Sequence, residues 1–265
     1  LFLSMQSDIP KADIYHCVAT GYSGILGGMA KILYPDSRLI VSEHGIYTRE
    51  REEEIIKAEW IQSIYKNIWI EQFKKMIASS KDIVFFGGAG VSTESGIPDF
   101  RSVDGLYHQK YDFPPETILS HTFFLNHPEE FYKFYKAKML PLSVRPNDTH
   151  FCLAKLEKEG KLKAIVTQNI DGLHQAAGSK TVYELHGSTL RNYCEDCGAF
   201  YDVDFIANST GVPRCPKCGG IVKPDVVLYE EGLDEGVLSG AVSAIRRADT
   251  LIIGGTSLVV YPAAG

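Results

Sequence analysis

The 265-residue sequence has no long apolar run, no excess of basic residues and no recognisable secretory leader. No apolar stretch reaches the roughly 20 residues that a membrane-spanning helix needs. The net charge of −6 and the isoelectric point near 5.8 argue against nucleic acid or an anionic membrane as an obligatory partner. The apolar start, residues 1–3, is too short for a signal peptide and lacks a basic region before it. Together with the tight cysteine pairs, which suggest a metal site more than disulfides, these absences favour a cytoplasmic protein.

The sequence has six cysteines, and four of them form two tight pairs. Four thiolates in two C-x-x-C pairs fit a tetrahedral Zn²⁺ site of the ribbon type. Because four cysteines leave no open coordination position, the zinc ion is expected to be structural. Disulfides are the alternative, although the lack of secretory signals favours a reducing compartment. The four candidate ligands are Cys194, Cys197, Cys215 and Cys218.

The most informative stretch is residues 83–101. An apolar run over 83–86, bounded by glycines, predicts a buried parallel strand. The glycines that follow allow a tight turn close to a ligand, and Ser92 supplies a hydroxyl. A strand, a glycine-rich turn and a helix start together favour a phosphate site. The spacing is not G-x-G-x-x-G, so a tight turn without a ligand remains the alternative.

Two more apolar runs predict strands that deliver polar residues to the same edge of a parallel sheet. Residues 164–167 precede Gln168, Asn169 and Asp171, although Asn169 and Asp171 could merely cap the next turn. Residues 251–253 precede a second small-residue turn, 254–257, that could meet phosphate or ribose. These patterns predict an α/β fold with a parallel sheet.

Other segments predict helices and a further strand. Pro128 is expected to start a helix, and Asn147 or Asp148 to cap another that ends at Gly160. The aromatic-rich segment 102–127 is typical of a mobile flap or a small helical layer. The pattern of residues 235–247 predicts an amphipathic helix. Residues 221–229 form an extended stretch that could pair with a peptide, or could be an ordinary sheet strand.

His186, followed by glycine at a predicted strand end, suits a general base because the histidine pKa lies near the working pH. A structural histidine is the alternative.

Taken in order, the motifs GGAGVSTESGIPDFR, QNIDGLH, HG, the two C-x-x-C pairs, KPDVVLYEE and GGTSLVVYPAAG resemble a bacterial sirtuin over residues 77–265. The resemblance implies an NAD-dependent protein lysine deacylase. Its fold would be a Rossmann-like parallel sheet with helices on both faces, formed by 77–190 and 221–265. A small zinc-ribbon module, 191–220, would be inserted in it.

The resemblance also implies roles for individual residues. His186, Asn169 and Asp171 would be catalytic. Phe100, Val226, Val227 and Tyr229 would contact the substrate. The implied NAD-binding residues are Ala89, Gly90, Ser92, Asp99, Phe100, Arg101, Gln168, Asn169, Ile170, Asp171, Gly255, Thr256 and Ser257.

The implied reaction is an acetyl transfer from lysine to ADP-ribose that releases nicotinamide. His186 would activate a ribose hydroxyl, and zinc would take no part. A binding module for NAD or an acyl-peptide, stabilised by zinc and without turnover, is the alternative function. Acetyl-lysine proteins or peptides are the expected substrates. A monomer with no obligatory nucleic acid or membrane partner is expected.

The sequence departs from the family pattern in two ways, and each departure predicts a property of the protein. Relatives that prefer succinyl or malonyl groups have a Tyr-x-x-Arg pair where this chain has Tyr132 and Tyr135, so an uncharged acyl group is expected. The family pattern also continues beyond the last motif with another strand. We therefore expect an exposed sheet edge, weak stability and poor NAD binding, with activity reduced or lost.

Residues 1–76 have a separate pattern, a glycine-rich α/β piece. The segments 19–24 and 42–51 resemble the amino-terminal half of a GT-B glycosyltransferase of the Pel exopolysaccharide type. That fold needs a second Rossmann domain, so we interpret 1–76 as a partial α/β fragment without activity of its own.

Overall fold

The computed structural model describes residues 9–18, 22–42, 71, 74–99, 113–258 and 263. A six-stranded sheet with the order β1-β2-β9-β3-β4-β5 has only parallel neighbours, and a three-stranded antiparallel sheet has the order β7-β6-β8. The strands are β1 (Ile14–Val18), β2 (Arg38–Ser42), β3 (Ile83–Gly87), β4 (Leu162–Thr167), β5 (Val182–Glu184), β6 (Gly187–Cys194), β7 (Phe200–Asp202), β8 (Val222–Val226) and β9 (Thr250–Gly254).

A 3₁₀ helix (Ala89–Ser95) follows β3 directly. The α-helices are α1 (Tyr22–Leu33), α2 (Pro115–Ile118), α3 (His121–Asn126), α4 (Pro128–Lys138), α5 (Asp148–Lys158), α6 (Leu173–Ala176), α7 (Val203–Asn208) and α8 (Glu235–Arg247). Pro128 starts α4 as predicted. The Asn147 side chain caps α5 by accepting from the N–H groups of Thr149 and His150.

The central strands are apolar because helices cover both faces of the sheet. All five residues of β3 are buried. Val84 belongs to a cluster with Ala241 of α8, and Phe85 belongs to a cluster with Leu153 of α5. The predicted Rossmann-like architecture is confirmed.

The antiparallel sheet forms a second layer with helices from a distant part of the chain. Phe131 and Tyr132 of α4 share a buried cluster with Ile206 of α7 and Val222 of β8. The hydroxyl of Tyr132 donates to the Val222 carbonyl oxygen at 2.6 Å. The aromatic side chains of α4 therefore belong to the core of this layer.

The amino-terminal strands extend the larger sheet. β2 pairs with β9 from Leu39 opposite Thr250 to Ser42 opposite Ile253, and β3 pairs with the other side of β9. β9 therefore has a paired strand on each side and is not at an edge of the sheet. No helix among the described residues is long and apolar enough to cross a bilayer.

Candidate active site

Two glycine-rich turns meet at the carboxyl ends of β3 and β9. The Gly88 N–H donates to the Gly254 carbonyl oxygen at 3.2 Å, and the Gly90 N–H donates to that of Gly255 at 2.9 Å. A methyl group on Gly90 would lie 2.8 Å from the Gly255 Cα, so a side chain there would keep the two backbones apart. The sequence pattern predicted that these glycines allow close approach of a ligand. In the structure they allow close contact between the two turns.

A buried polar cluster joins the first turn to the end of β4. The Ser92 hydroxyl donates to Asp171 Oδ2 at 2.7 Å, and Asn169 Nδ2 donates to Ser92 Oγ at 3.0 Å. Asp171 Oδ1 also accepts from the Leu173 N–H at 2.9 Å, which is the capping contact considered as an alternative. Residues predicted from two separate motifs therefore lie in one hydrogen-bonded group.

Gln168 links this region to the second turn. The Thr256 hydroxyl donates to Gln168 Oε1 at 3.0 Å. Within the described part of the chain, the buried Gln168 Nε2 has no hydrogen-bond partner. Because an unpaired buried donor costs free energy, an acceptor on a bound ligand would be stabilising here. This donor, the neighbouring hydroxyl and carboxylate groups and the glycine turns fit NAD, which offers ribose hydroxyls, phosphates and a carboxamide.

His186 lies between β5 and β6, with its ring against the end of β4. Its Nδ1 lies 3.0 Å from the Gln168 carbonyl oxygen. Because a carbonyl only accepts, Nδ1 carries the proton in the neutral ring and Nε2 holds the lone pair. Burial lowers the pKa of His186 below its usual value, and the hydrogen bond to Gln168 offsets part of that shift. The ring is therefore neutral near pH 7.

The predicted substrate segment continues from β8. The Val227 N–H donates to the His186 carbonyl oxygen at 3.0 Å, and Val226 is buried opposite Gly187. Tyr229 has an exposed side chain, and its N–H donates to the Leu119 carbonyl oxygen at 3.0 Å. The segment is thus held on one side by His186, the residue before β6, and on the other by Leu119, the residue after α2.

The four predicted zinc ligands converge. Their sulfur atoms all lie within 4.8 Å of one another, with 3.3 Å between Cys194 and Cys218 and 3.6 Å between Cys197 and Cys215. A tetrahedral ion with ~2.3 Å bonds to sulfur separates the sulfurs by about 3.8 Å, so this arrangement fits Zn²⁺. All six cysteines are unpaired, which rules out the disulfide alternative in this structure.

Asn147 contributes to the site region in a way that the sequence did not predict. Beyond capping α5, its Nδ2 donates to the Val91 carbonyl oxygen at 2.8 Å and to Ser95 Oγ at 3.1 Å. It therefore holds the 3₁₀ helix of the first turn. The only signal in the sequence was its capping pattern, which carries no information about a partner 52 residues away.

A buried histidine pair was also missed. His150 and His174 have ring centroids 4.8 Å apart and are almost fully buried. Burial, and then the neighbouring His150, lowers the pKa of His174 to about 3. Burial likewise lowers the pKa of His150, against an opposing effect of Asp171. Both rings are therefore neutral near pH 7 in the folded protein.

The remaining predicted residues are placed as follows. Ala89 begins the 3₁₀ helix, and the Ile170 carbonyl oxygen accepts from the Thr189 N–H at 2.9 Å. Asp99 is half-buried, and Ser257 is exposed next to Thr256. Phe100 and Arg101 lie outside the described residues.

Comparison with protein families finds two matches in separate parts of the chain. Residues 88–262 match the Sir2 family, and residues 1–84 match a domain of unknown function, DUF3492. The glycosyltransferase interpretation of 1–76 stays a prediction, because most of 42–51 lies outside the described residues.

Individual relatives match the same region. An NAD-dependent protein deacetylase of Clostridium perfringens is 68% identical over 198 residues, covering 74% of this chain and 81% of that protein. One of Clostridium acetobutylicum is 65% identical, with 74% and 81% covered. Among solved structures, a complex of Sir2 with a p53 peptide and NAD⁺ has 44% identity and a TM-score of 0.65, covering 74% of this chain and 79% of that one. A Sir2 homolog–NAD complex has 42% identity and a TM-score of 0.66, with 73% and 75% covered.

Proposed function

Because this chain belongs to the Sir2 family, we propose that it is an NAD-dependent lysine deacetylase acting on acetylated proteins or peptides. The observation that carries the proposal is the position of His186. Its ring contacts the Gln168 carbonyl oxygen, and its own carbonyl oxygen accepts from Val227. His186 thus contacts the end of β4 through its ring and the predicted substrate segment through its backbone.

His186 acts as the general base. Bound NAD would supply an electrophilic ribose carbon, because nicotinamide is a good leaving group. The weakly nucleophilic oxygen of the acetyl-lysine amide can attack that carbon. Nε2 of His186 accepts the proton of the ribose hydroxyl that takes over the acetyl group. Nδ1 keeps its proton because its N–H donates a hydrogen bond to the Gln168 carbonyl oxygen. The lowered pKa keeps the ring in the neutral form that a base requires.

The polar cluster and the turns hold NAD. Asp171 and Asn169 face Ser92 across the first turn, so their carboxylate and amide can bind ribose hydroxyls and the carboxamide. The second turn brings Thr256 beside Gln168. We assign the remaining NAD contacts to Ala89, Gly90, Asp99, Phe100, Arg101, Ile170, Gly255 and Ser257.

The acetyl-lysine peptide lies against Val226, Val227 and Tyr229, and we also assign Phe100 to substrate contact. The solved complex of Sir2 with a p53 peptide and NAD⁺ supports peptides as the substrate class. The zinc site is structural, because four thiolates fill its coordination sphere.

We further propose a monomer in the cytoplasm without an obligatory nucleic acid or membrane partner. The unpaired cysteines support a reducing compartment. Residues 77–265 form the catalytic unit, with the zinc module at 191–220 between Rossmann parts at 77–190 and 221–265. The family matches at 88–262 and 1–84 support the division near residue 76.

Mass spectrometry of an acetyl-lysine peptide incubated with the full chain, with and without NAD, tests the function. We expect NAD-dependent loss of acetyl and formation of O-acetyl-ADP-ribose. His186→Ala should abolish both while still binding NAD and zinc. His127→Ala, which removes an exposed imidazole elsewhere, should leave turnover unchanged.

If the wild-type chain binds NAD and peptide without turnover, the deacetylase proposal fails and the binding-module alternative holds. If turnover survives in His186→Ala, the assignment of the base fails.

A further inference from the structure

The amino-terminal strands lie outside the Sir2 match yet pair with its sheet. The family match begins at residue 88, whereas β1 and β2 fall within the DUF3492 match at 1–84. β2 nevertheless pairs with β9 over four residues, and β1 pairs with β2 over five. β9 carries the second glycine-rich turn of the proposed NAD site. A segment foreign to the family domain is therefore bonded to a strand of the site.

Buried contacts attach this segment to the sheet. Leu39 of β2 is fully buried, and its N–H donates to the Asp249 carbonyl oxygen at 3.3 Å. Lys31 of α1 is only 5% exposed, and its Nζ donates to the Ser37 carbonyl oxygen at 2.7 Å and reaches that of Asp249 at 3.5 Å. A buried ammonium requires such acceptors. The attachment therefore involves a charged group as well as apolar contacts.

Close packing of α1 on the two strands depends on one glycine. A methyl group on Gly27 would come into severe overlap with Cys17 Sγ of β1, and would lie 2.9 Å from Leu39 Cδ1 of β2. The next residue, Gly28, differs: apart from its chain neighbours and the nearby backbone of the same helix, no described heavy atom lies within 4 Å of a methyl group there. Alanine substitutions at these two adjacent glycines of α1 therefore separate the effect of packing against the strands from a general effect on the helix.

We propose that residues 14–42 are a positioning element of the NAD site, which they hold through β9. The inference rests on the proposed binding of NAD at the two glycine turns. β2 fixes one side of β9, and β9 ends in Gly254 and Gly255, whose carbonyl oxygens accept from Gly88 and Gly90. A shift of β2 would therefore move the second turn relative to the first.

The test compares Gly27→Ala with Gly28→Ala in the full chain. Overpacking at Gly27 should raise KM for NAD about tenfold, with KM for the acetyl-lysine peptide unchanged. Without NAD, the backbone amides of β9 should exchange hydrogen faster in Gly27→Ala than in wild type. Gly28→Ala should match wild type in all three measurements. If Gly27→Ala does not fold, Leu39→Val, which removes one buried methylene, replaces it.

Equal β9 exchange and equal KM for NAD in the two glycine variants would overturn the inference and make residues 14–42 an independent appendage. Failure of the wild-type chain to bind NAD would instead overturn the proposed function. The exchange comparison of β9 needs no NAD, so the two failures are distinguishable.

Discussion

Ser92 and Asp171 are joined by a 2.7 Å hydrogen bond between buried side chains that lie 79 residues apart in the sequence. Ser92 Oγ also accepts from Asn169, so one hydroxyl connects the first glycine turn to both predicted catalytic polar residues at the end of β4. The pairing sets the distance between two strands at the point where NAD is proposed to bind.

Ser92→Ala should weaken both folding and NAD binding. It leaves Asp171 Oδ2 and Asn169 Nδ2 without this partner, and such a loss costs about 1–3 kcal/mol. Urea denaturation and calorimetric titration with NAD measure the two effects. Ser239→Ala, an exposed serine on α8, is the control. Indistinguishable results for the two variants would show that the hydroxyl does not organise the site.

Loss of zinc should unfold the small layer as a unit. Cys194 and Cys215 belong to the same buried cluster as Phe131 of α4, so the metal site and the helices over 115–138 share a core. Cys218→Ser should lower zinc content and thermal stability, as should a strong chelator. Cys152→Ser removes an exposed cysteine outside the cluster and should change neither. A chelated protein that melts like the untreated one would contradict this.

Stability should fall as the solution is acidified below about pH 6.5, the usual histidine pKa. His174 has a folded pKa of about 3, and the pKa values of His150 and His186 are also lowered. The unfolded state therefore binds protons first, so stability is full above the unfolded pKa and is lost as the pH falls toward the folded value.

One such group changes the free energy of unfolding by at most about 1.4 kcal/mol per pH unit. His174→Phe keeps a buried ring without a titratable nitrogen, so the dependence should be shallower between pH 6.5 and 4 than in wild type. Urea unfolding at several pH values measures it, beside His127→Phe as an exposed control. If the free energy of unfolding depended on pH equally in wild type and His174→Phe, burial of His174 would not be the cause of the loss of stability in acid.

The acyl preference should be for acetyl over succinyl groups. The positions at which succinyl-preferring relatives carry a tyrosine and an arginine hold Tyr132 and Tyr135, and neither offers a cation to an acyl carboxylate. Both are buried in the core of the small layer. A higher kcat/KM on succinyl-lysine than on acetyl-lysine peptide, at equal enzyme and NAD concentration, would refute this expectation.

The expectation of weak stability and poor NAD binding stays a prediction. β2 pairs with β9, so an open edge at β9 does not contribute to it. Thermal melting and NAD titration of the full chain measure both properties, and a cooperative melt above about 60 °C would contradict weak stability.

Local patterns in the sequence determined the elements of the fold and the chemistry of the metal site. A short apolar run bounded by glycines predicts a strand such as β3, and two C-x-x-C pairs predict a zinc site, because both signals depend on residues close together in the chain. The same holds for the helix starts at Pro128 and Asn147. The ordered set of motifs indicated the family, which the Sir2 match confirmed.

Tertiary structure alone decided which of these elements meet. The pairing of β2 with β9 joins residues more than 200 positions apart, and α4 shares a core with zinc-layer strands. No local pattern encodes such contacts, because they depend on how apolar faces and unpaired strand edges match across the whole chain. The burial of His174, and hence its lowered pKa, follows from the same packing. Sequence thus defined the parts and the reaction, and packing defined the environment in which those residues act.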